Sequence, residues 1–170
     1  MKPELIIAGC ALVVSVVSLA FALWAQFAQR KHMRLSVRPV AAIPVADFEN
    51  RLAVWLTNKG LGPMRIKSLT VINGAGRIRS DLISYMPDLP AGVEWTNFHG
   101  NADGAFLEAG KRVELLVLEG DPNNRAFREA RDAIRNVLTR LTVRVEYEDF
   151  YGKLMAPEER TLSWFGRHYQ

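Results

Sequence analysis

Cysteine and histidine are scarce in this chain. Cys10 is the one cysteine among 170 residues and lies inside an apolar stretch, and the three histidines are His32, His99 and His168. The residues after Cys10 therefore offer no disulfide, no thiolate nucleophile and no cysteine-based zinc site. Because the histidines are scattered along the sequence, they do not indicate a metal cluster, and we expect neither a metal nor a cofactor.

The sequence also lacks the common catalytic motifs. It contains no phosphate-binding loop, no Gly-x-Ser-x-Gly elbow and no His-Glu-x-x-His pair. Glu146 and Glu148 share one face of a predicted strand, but Arg144 lies on the same face. This mixture favours a solvated surface over a paired-carboxylate site. We therefore predict that the protein is not an enzyme.

Net charge is low outside the N-terminal region. The whole chain carries +4, and residues 1–34 hold four basic side chains and one acidic side chain. The remaining residues have 18 basic and 17 acidic side chains, so they are nearly neutral. The pI of about 9.5 owes much to the N-terminal region, and we expect no binding to nucleic acid.

What the sequence does contain is one long apolar run, from Leu5 to Ala28, without a charged side chain. At about 1.5 Å per residue this run makes a helix of about 36 Å, enough to cross a hydrocarbon core of about 30 Å. We predict a single-pass protein in contact with membrane lipid. Its predicted parts are an N-terminal tail (1–4), a transmembrane helix (5–28), a basic juxtamembrane segment (29–34), one β-sandwich domain (35–165) and a C-terminal tail (166–170).

A basic cluster directly after the run favours one orientation. Arg30, Lys31 and Arg34 outnumber the positive groups that precede the run. Since Lys and Arg favour the cytoplasmic side, where they meet lipid headgroups, we predict an N-terminus outside the cell (inner) membrane and a cytoplasmic C-terminal domain. The alternatives are a periplasmic or extracellular domain behind an uncleaved anchor, and a signal peptide cleaved near 20–22.

Small side chains recur along the predicted transmembrane helix at spacings of three and four residues. Such a stripe permits close approach of two helices in lipid, because small residues allow backbone contact and hydroxyl hydrogen bonds. The sequence thus predicts a packing face for a second copy of the chain or another membrane-protein subunit, unless the spacing arose by chance. The stripe consists of Ala8, Ala11, Ser15, Ser18, Ala22 and Ala25.

After residue 34, short alternating segments predict a mainly β domain. The predicted strands are 35–38, 51–57, 65–72 with a bulge, 75–80, 111–118, 141–148 and one or more within 153–164, and residues 40–50 are predicted to loop. Asn73-Gly74 indicates a hairpin turn. One amphipathic helix is predicted over 123–140, with Asp121 as its N-cap and Pro122 at its first position.

The turns resemble those of a known architecture. Asn58-Lys59-Gly60-Leu61-Gly62-Pro63 resembles a turn between two early strands in immunoglobulin-like domains of bacterial membrane or surface proteins, and 107–111 and 147–152 are similar to later turns of those domains. The resemblance covers about residues 51–155. It implies an antiparallel immunoglobulin-like β-sandwich with a binding or scaffolding role and no catalytic residues. The helix at about 123–140 is an insertion that ordinary sandwiches lack.

Two groups of side chains are candidates for an interaction surface. Tyr85, Trp95 and Phe98 lie in a long connection, where aromatic rings suit either recognition or anchoring to the core. The outer face of the predicted helix is rich in arginine, which suits either anionic lipid headgroups or a solvated face with pairs within the helix. The arginines of that face are Arg125, Arg128, Arg131 and Arg135.

These observations favour a single-pass, membrane-anchored, non-enzymatic interaction or scaffold module, a subunit of a membrane-associated complex. The alternative is an exported, membrane-tethered domain that binds cell-envelope sugar or lipid. A third hypothesis, a tethered hydrolase, requires His99, Asp103 and an acid such as Glu94 to converge.

Overall fold

The chain divides into two compact units, residues Met1–Val37 and Arg38–Gln170. The computed structural model describes the backbone of residues 3–169 and the side chains of residues 10, 12–30, 33 and 36–167. The elements in chain order are α1 (Pro3–Ser36), β1 (Ala41–Ala42), β2 (Val45–Phe48), β3 (Arg51–Asn58), β4 (Met64–Asn73), β5 (Ile78–Arg79), a 3-10 turn (Ile83–Tyr85), β6 (Asn97–Phe98), β7 (Phe106–Leu107), β8 (Arg112–Glu119), α2 (Arg125–Leu138), β9 (Leu141–Asp149), β10 (Glu158–Thr161) and a C-terminal 3-10 segment (Leu162–Tyr169).

The first unit is the helix α1. Its segment Leu12–Arg30 has a mean hydropathy of 1.8 and is long and apolar enough to cross a membrane. The helix continues through the basic segment to Ser36, so the predicted strand at 35–38 is wrong. Lys, Arg, Met and Leu are good helix formers, and the helix ends shortly before Pro39, which disfavours helical backbone at the residue before it.

The second unit is mainly β and contains two antiparallel sheets. In the first sheet the order is β1–β3–β8–β6, and β2 pairs with β3 beside β1. In the second sheet the order is β10–β9–β4–β5, and β7 also pairs with β4. The predicted strands at 51–57, 65–72, 111–118 and 141–148 are confirmed as β3, β4, β8 and β9. The bulge predicted in β4 lies between Ile66 and Ser68.

The prediction of a loop over 40–50 is wrong. Ala41 and Ala42 pair with the end of β3, and Val45 to Phe48 pair with its beginning. The cross-strand partner organises this segment: small residues such as Ala46, opposite Ala53, fit a covered sheet surface although their own β propensity is low.

Both sheets contribute to one hydrophobic core. Leu52, Val54 and Leu56 of β3 and Ile66 of β4 are fully buried in it, together with Val143 of β9. The helix α2 adds its apolar stripe to the same core. That stripe consists of Phe127, Ala130, Ile134 and Leu138.

The observed α2 is shorter than the predicted helix at 123–140, and its N-cap differs. The side chain of Asn124 accepts a hydrogen bond from the backbone N–H of Ala126 at 2.9 Å. Asp121 instead accepts from the N–H of Asn123, which closes a turn before the helix. A capping side chain is identified by the backbone N–H that it reaches, and Asp121 lies one turn too early.

The β domain has two different ends. The Asn58 end is formed by residues 38–40, 58–64, 105–111 and 148–154, all of them chain entry, turns and strand ends. The helix end is formed by residues 49–50, 73–77, 119–141 and 161–167, and it includes α2 and most of the C-terminal 3-10 segment. Strand β4 runs from the Asn58 end to the helix end over ten residues.

Candidate functional site

An open groove lies in the long connection between β5 and β7. Buried Leu82, Val93 and Ala102 attach this connection to the core, so the groove has a fixed backbone. Its volume is about 460 Å³. The lining residues are Ile83, Met86, Pro87, Asp88, Leu89, Val93, Glu94, Trp95 and Phe98.

The aromatic wall of the groove belongs to the edge of the first sheet. Phe98 lies in β6 opposite Leu116 of β8, and 48% of its surface is exposed. Trp95 is half-buried and packs against the core. The hydroxyl of Thr96 accepts a hydrogen bond from the N–H of Glu119 at 2.8 Å, which holds this wall against β8.

Two acidic side chains lie on the groove. Asp88 and Glu94 are both exposed and line the groove with the apolar side chains. Neither of them forms an ion pair within the part of the chain that the structure describes. The groove is therefore apolar on its walls and negative at its rim.

Tyr85 does not join Trp95 and Phe98 in this groove. Its hydroxyl donates a hydrogen bond to the carbonyl of Arg77 at 2.7 Å, and the guanidinium of Arg79 lies 5.4 Å from its ring centroid. It lines a separate hollow of about 290 Å³ beside the end of α2. Of the three predicted aromatics, the structure brings together two, and Tyr85 anchors the β4–β5 hairpin.

The arginines of the outer face of α2 bind neighbouring groups of the domain. Arg125 contacts Glu129 at 2.7 Å. Arg128 donates to the carbonyls of Pro122 and Asn123. Arg131 donates to the carbonyls of Phe48 and Glu49, so much of the donor capacity of this face serves the loops around it.

Arg135 is buried, so its predicted position on the exposed outer face of the helix is wrong. Its guanidinium contacts the fully buried carboxylate of Asp47 at 2.6 Å. It also contacts the exposed carboxylate of Asp132 at 2.8 Å. Arg167 contacts the second oxygen of Asp47 at 3.2 Å. Two arginines thus meet one buried carboxylate, in the charge-assisted, fork-like arrangement that arginine favours.

The surroundings of Arg135 fix its charge. Desolvation by burial lowers the pKa of Arg135, but the hydrogen bonds and the charge of Asp47, with the charge of Asp132, outweigh it and raise the pKa above its ordinary value. A raised pKa means that the stabilisation linked to the protonation of Arg135 is present below its unfolded pKa and is lost as the pH rises through its folded pKa. The network is therefore permanently charged on the arginine side.

Sequence reasoning missed Asp47 because its segment was interpreted as a loop. In β2, Val45 and Asp47 pair with the core residues Val54 and Leu52, so Asp47 faces inward. An acid at an inward position of an alternating strand requires a cationic partner. That rule would have pointed to the arginines of α2 once the strand was recognised.

On the outside of the first sheet, charged side chains lie next to the ring of Trp55. The ring of Trp55 lies between the guanidinium groups of Arg51, at 5.2 Å, and Arg112, at 5.0 Å. Glu114 contacts both arginines, at 3.7 Å and 3.4 Å. Trp55 therefore already has cationic partners within the domain.

Three of the acids considered for catalysis have structural partners. The carboxylate of Asp103 accepts a hydrogen bond from the N–H of Leu69 at 2.9 Å, beside the bulge of β4. Glu148 contacts Arg65 at 3.3 Å, and Glu146 contacts Arg144 at 3.0 Å. Among the described residues, no three His, Cys, Asp or Glu side chains are placed to hold a metal ion.

On α1, four of the predicted site residues have described side chains in the small-residue stripe. Ser15, Ser18, Ala22 and Ala25 are exposed, and Arg30 is exposed as well. The side chains of Ala8, Ala11, Lys31 and Arg34 lie outside the described part of the structure. The helix packing face and the headgroup contacts of Arg30, Lys31 and Arg34 stay predictions.

No family model matches this chain, and no curated protein is significantly similar to it.

Proposed function

We propose that this protein is a membrane-anchored, non-enzymatic interaction module that binds a protein partner in the groove of its β domain. The observation that carries the proposal is the exposed ring of Phe98 beside Trp95, on a fixed backbone. Next to it are two acids, Asp88 and Glu94, that form no ion pair with any side chain the structure describes. Exposed aromatic side chains beside apolar walls are typical of protein-binding surfaces.

The strand order supports an immunoglobulin-like sandwich as the scaffold. In that fold, strands A, B, E and D form one sheet, and G, F and C form the other. The order β1/β2–β3–β8–β6 and the order β10–β9–β4 correspond to these two sheets. The helix α2 then occupies the connection between the strands that correspond to E and F.

The groove favours an extended segment that combines apolar and basic side chains. Aromatic-lined grooves bind extended, proline-containing segments because such segments lose little entropy on binding. Asp88 and Glu94 would attract lysine or arginine and repel acidic side chains. We assign the partner to this chemical class.

Peptide binding to the full-length protein in detergent micelles tests this assignment. The probes are peptides that combine Leu or Pro with Arg or Lys, and matched peptides in which Asp replaces each basic residue. Reversing the charge of the groove with Asp88→Lys and Glu94→Lys should weaken binding of the basic peptides about tenfold or more, since like charges in contact cost several kcal/mol.

Matched variants separate the groove from the general surface. Glu108→Lys makes the same charge change at an exposed site elsewhere, and Ile78→Ala removes an exposed apolar side chain from β5. We expect both to bind as the parent protein does, whereas Phe98→Ala loses binding. Equal binding of basic and acidic peptides, or binding unaffected by Phe98→Ala, would contradict the proposal.

The anchor is the apolar helix α1, with the β domain on the cytoplasmic side. The basic residues Arg30, Lys31 and Arg34 support this orientation. A reporter fused after Gln170 and active on only one side of the membrane tests it. Activity outside would move the domain to the cell envelope and favour the alternative, binding of envelope sugar or lipid by the same exposed aromatics.

We also propose that the small-residue stripe of α1 packs against a second copy or another membrane subunit. Replacing Ser15, Ser18 and Ala22 with Leu should prevent close approach of the backbones. Crosslinking in membranes measures the association. The same change at Val13, Val16 and Ala20, on other positions of the helix, is the control, and equal crosslinking by both variants would contradict the packing face.

A further inference from the structure

The Asn58 end of the β domain carries a cluster of exposed apolar side chains. We name this cluster the apolar tip. Monomeric proteins seldom expose contiguous apolar patches without a binding role, and a patch with a polar rim is typical of a protein or membrane contact. The apolar tip consists of Leu61, Phe106, Phe150, Tyr151 and Leu154, whose exposed fractions range from 60% for Tyr151 to 77% for Leu61.

Strand register places two members of the tip in one row across the second sheet. Phe106 pairs with Arg65, Arg65 pairs with Glu148, and Glu148 bridges to Leu154, so Phe106 and Leu154 lie at the two ends of this row with an ion pair between them. The rings of Phe150 and Tyr151 lie 5.9 Å apart in the turn that follows β9. The tip is thus held by the sheet and by a tight turn.

The chain enters the β domain at this same end. The N–H of Val40 and the N–H of Gly60 both donate to the side chain of Asn58, and Lys59 donates to the carbonyl of Val40. These bonds fix the first residues of the domain beside the turn that contains Leu61. Only Val37 separates the last residue of α1, Ser36, from Arg38, where the second unit begins.

Basic side chains lie at the same end of the domain as the tip. Arg38, Lys59, Lys111 and Lys153 are all exposed, and Glu108 is an exposed acid at the same end. Asp149 is half-buried, and its carboxylate accepts hydrogen bonds from the N–H groups of Tyr151 and Lys153. Exposed rings and leucines with lysines around them match the interface of an anionic lipid bilayer.

We propose that the apolar tip contacts the surface of the bilayer that anchors the protein. This inference rests on the proposed function, because it requires α1 to span the membrane. From Arg30 to Ser36 the helix rises about 9 Å, and a headgroup layer is about 5–8 Å deep. Because only a few residues tether the Asn58 end to this helix, that end can reach the headgroup layer, where aromatic rings are favoured.

Fluorescence quenching of the full-length protein in vesicles tests the contact. Cys10→Ala removes the native thiol, and single cysteines introduced by Tyr151→Cys, Ala75→Cys and Val16→Cys carry an environment-sensitive dye. These positions lie in the tip, in the hairpin at the opposite end, and in the helix. The vesicles contain phosphatidylcholine and phosphatidylglycerol with nitroxide-bearing lipids. Leu154→Cys serves as a second tip position in case labelling at 151 disturbs its turn.

We expect the dye at both tip positions to lose emission with headgroup nitroxides, while the dye at position 75 keeps its emission. Quenching in the helix without quenching at either tip position overturns the tip contact and leaves the anchor intact. With nitroxides on the acyl chains instead, an unquenched dye at position 16 overturns the anchor and, with it, the tip contact. Equal quenching at positions 151 and 75 also overturns the proposal, since it indicates no preferred end.

Discussion

The two ends of the β domain are stabilised by different polar chemistry. At the helix end, Arg135 and Arg167 meet the buried carboxylate of Asp47. At the Asn58 end, the neutral side-chain amide of Asn58 connects separate backbone segments instead. Asn58 is fully buried, accepts from two N–H groups, and donates to the carbonyls of Gly62 and Leu107 at 2.7 and 3.1 Å.

The difference follows from what each end has to join. The helix end connects separate elements, β2, α2 and the C-terminal 3-10 segment, over 88 and 120 residues of sequence, and long arginine side chains span the space between them. The Asn58 end connects turns whose backbones already lie close together, so one short amide reaches all of them. A charged centre costs more when one partner is lost, because the remaining charge is buried without compensation.

The largest effect is expected from Asp47→Ala at the helix end. Removing this carboxylate leaves Arg135 buried without its main partner, and breaking a buried pair costs about 3–5 kcal/mol. Denaturant unfolding of the full-length protein in detergent micelles measures this loss. Asp88→Ala, which removes an exposed acid, is the control and should change stability by about 0.5 kcal/mol or less.

A double variant separates the charge from the packing at the same place. Asp47→Leu combined with Arg135→Met replaces the pair by apolar side chains of similar volume, and it should recover much of the lost stability. If the double variant is as unstable as Asp47→Ala, the role of this network is geometric, through Arg167, and our account of the helix end is wrong.

At the Asn58 end, Asn58→Ala should cost about 3 kcal/mol, since it leaves the buried carbonyls of Gly62 and Leu107 and two part-buried N–H groups without this partner. Asn58→Asp tests the two halves of the amide separately: the carboxylate can still accept from Val40 and Gly60, but it cannot donate to Gly62 and Leu107. We expect Asn58→Asp to be destabilised as well. Parent-like stability of both variants in the same unfolding assay would show that the turns hold without the amide.

Gly60→Ala should cost about 2 kcal/mol, as is usual for overpacking. A Cβ atom at this position would stand 2.6 Å from the Cα atom of Pro39, so the chain entry would have to move away from its turn. Gly74→Ala is the matched control at the other end, where an added Cβ meets no atom within 4 Å. Thermal unfolding compares the two, and equal melting temperatures would contradict the close contact at Gly60.

The smallest effect distinguishes the two candidate caps of α2. Asn124→Ala should cost about 1 kcal/mol, the usual value for an N-cap, and Asp121→Ala should cost less, because Asp121 closes only the preceding turn. Circular dichroism during thermal unfolding gives both values. A larger loss of stability for Asp121→Ala than for Asn124→Ala would indicate that Asp121 is the N-cap, as the sequence pattern predicts.

Much of the fold could be predicted from the sequence because local patterns specify it. Strict alternation of apolar and polar residues in 141–148 predicted β9, and Val143, Val145 and Tyr147 are buried on one face. The Asn73-Gly74 turn predicted the hairpin between β4 and β5. The prediction for residues 40–50 was wrong because alanine and proline have a low strand propensity. These residues form strands because they pair with β3.

The candidate site was predicted less completely, for a related reason. Trp95 and Phe98 were identified by residue type, but residue type does not reveal that Tyr85 faces a different hollow or that Asp88 and Glu94 lie on the groove. Helical spacing placed Arg135 with the other arginines of α2. Its burial depends on Asp47, 88 residues away in sequence, which no local pattern contains.

The sequence by itself determined the apolar helix, the mainly β character of the domain and the positions of its tight turns, because hydrophobic periodicity and turn chemistry act over a few neighbouring residues. The tertiary structure decided which edge strands form, which arginine is buried, where the groove opens and which apolar side chains gather at the Asn58 end. Each of these depends on partners far apart in the chain, and burial and pairing are properties of the packed domain.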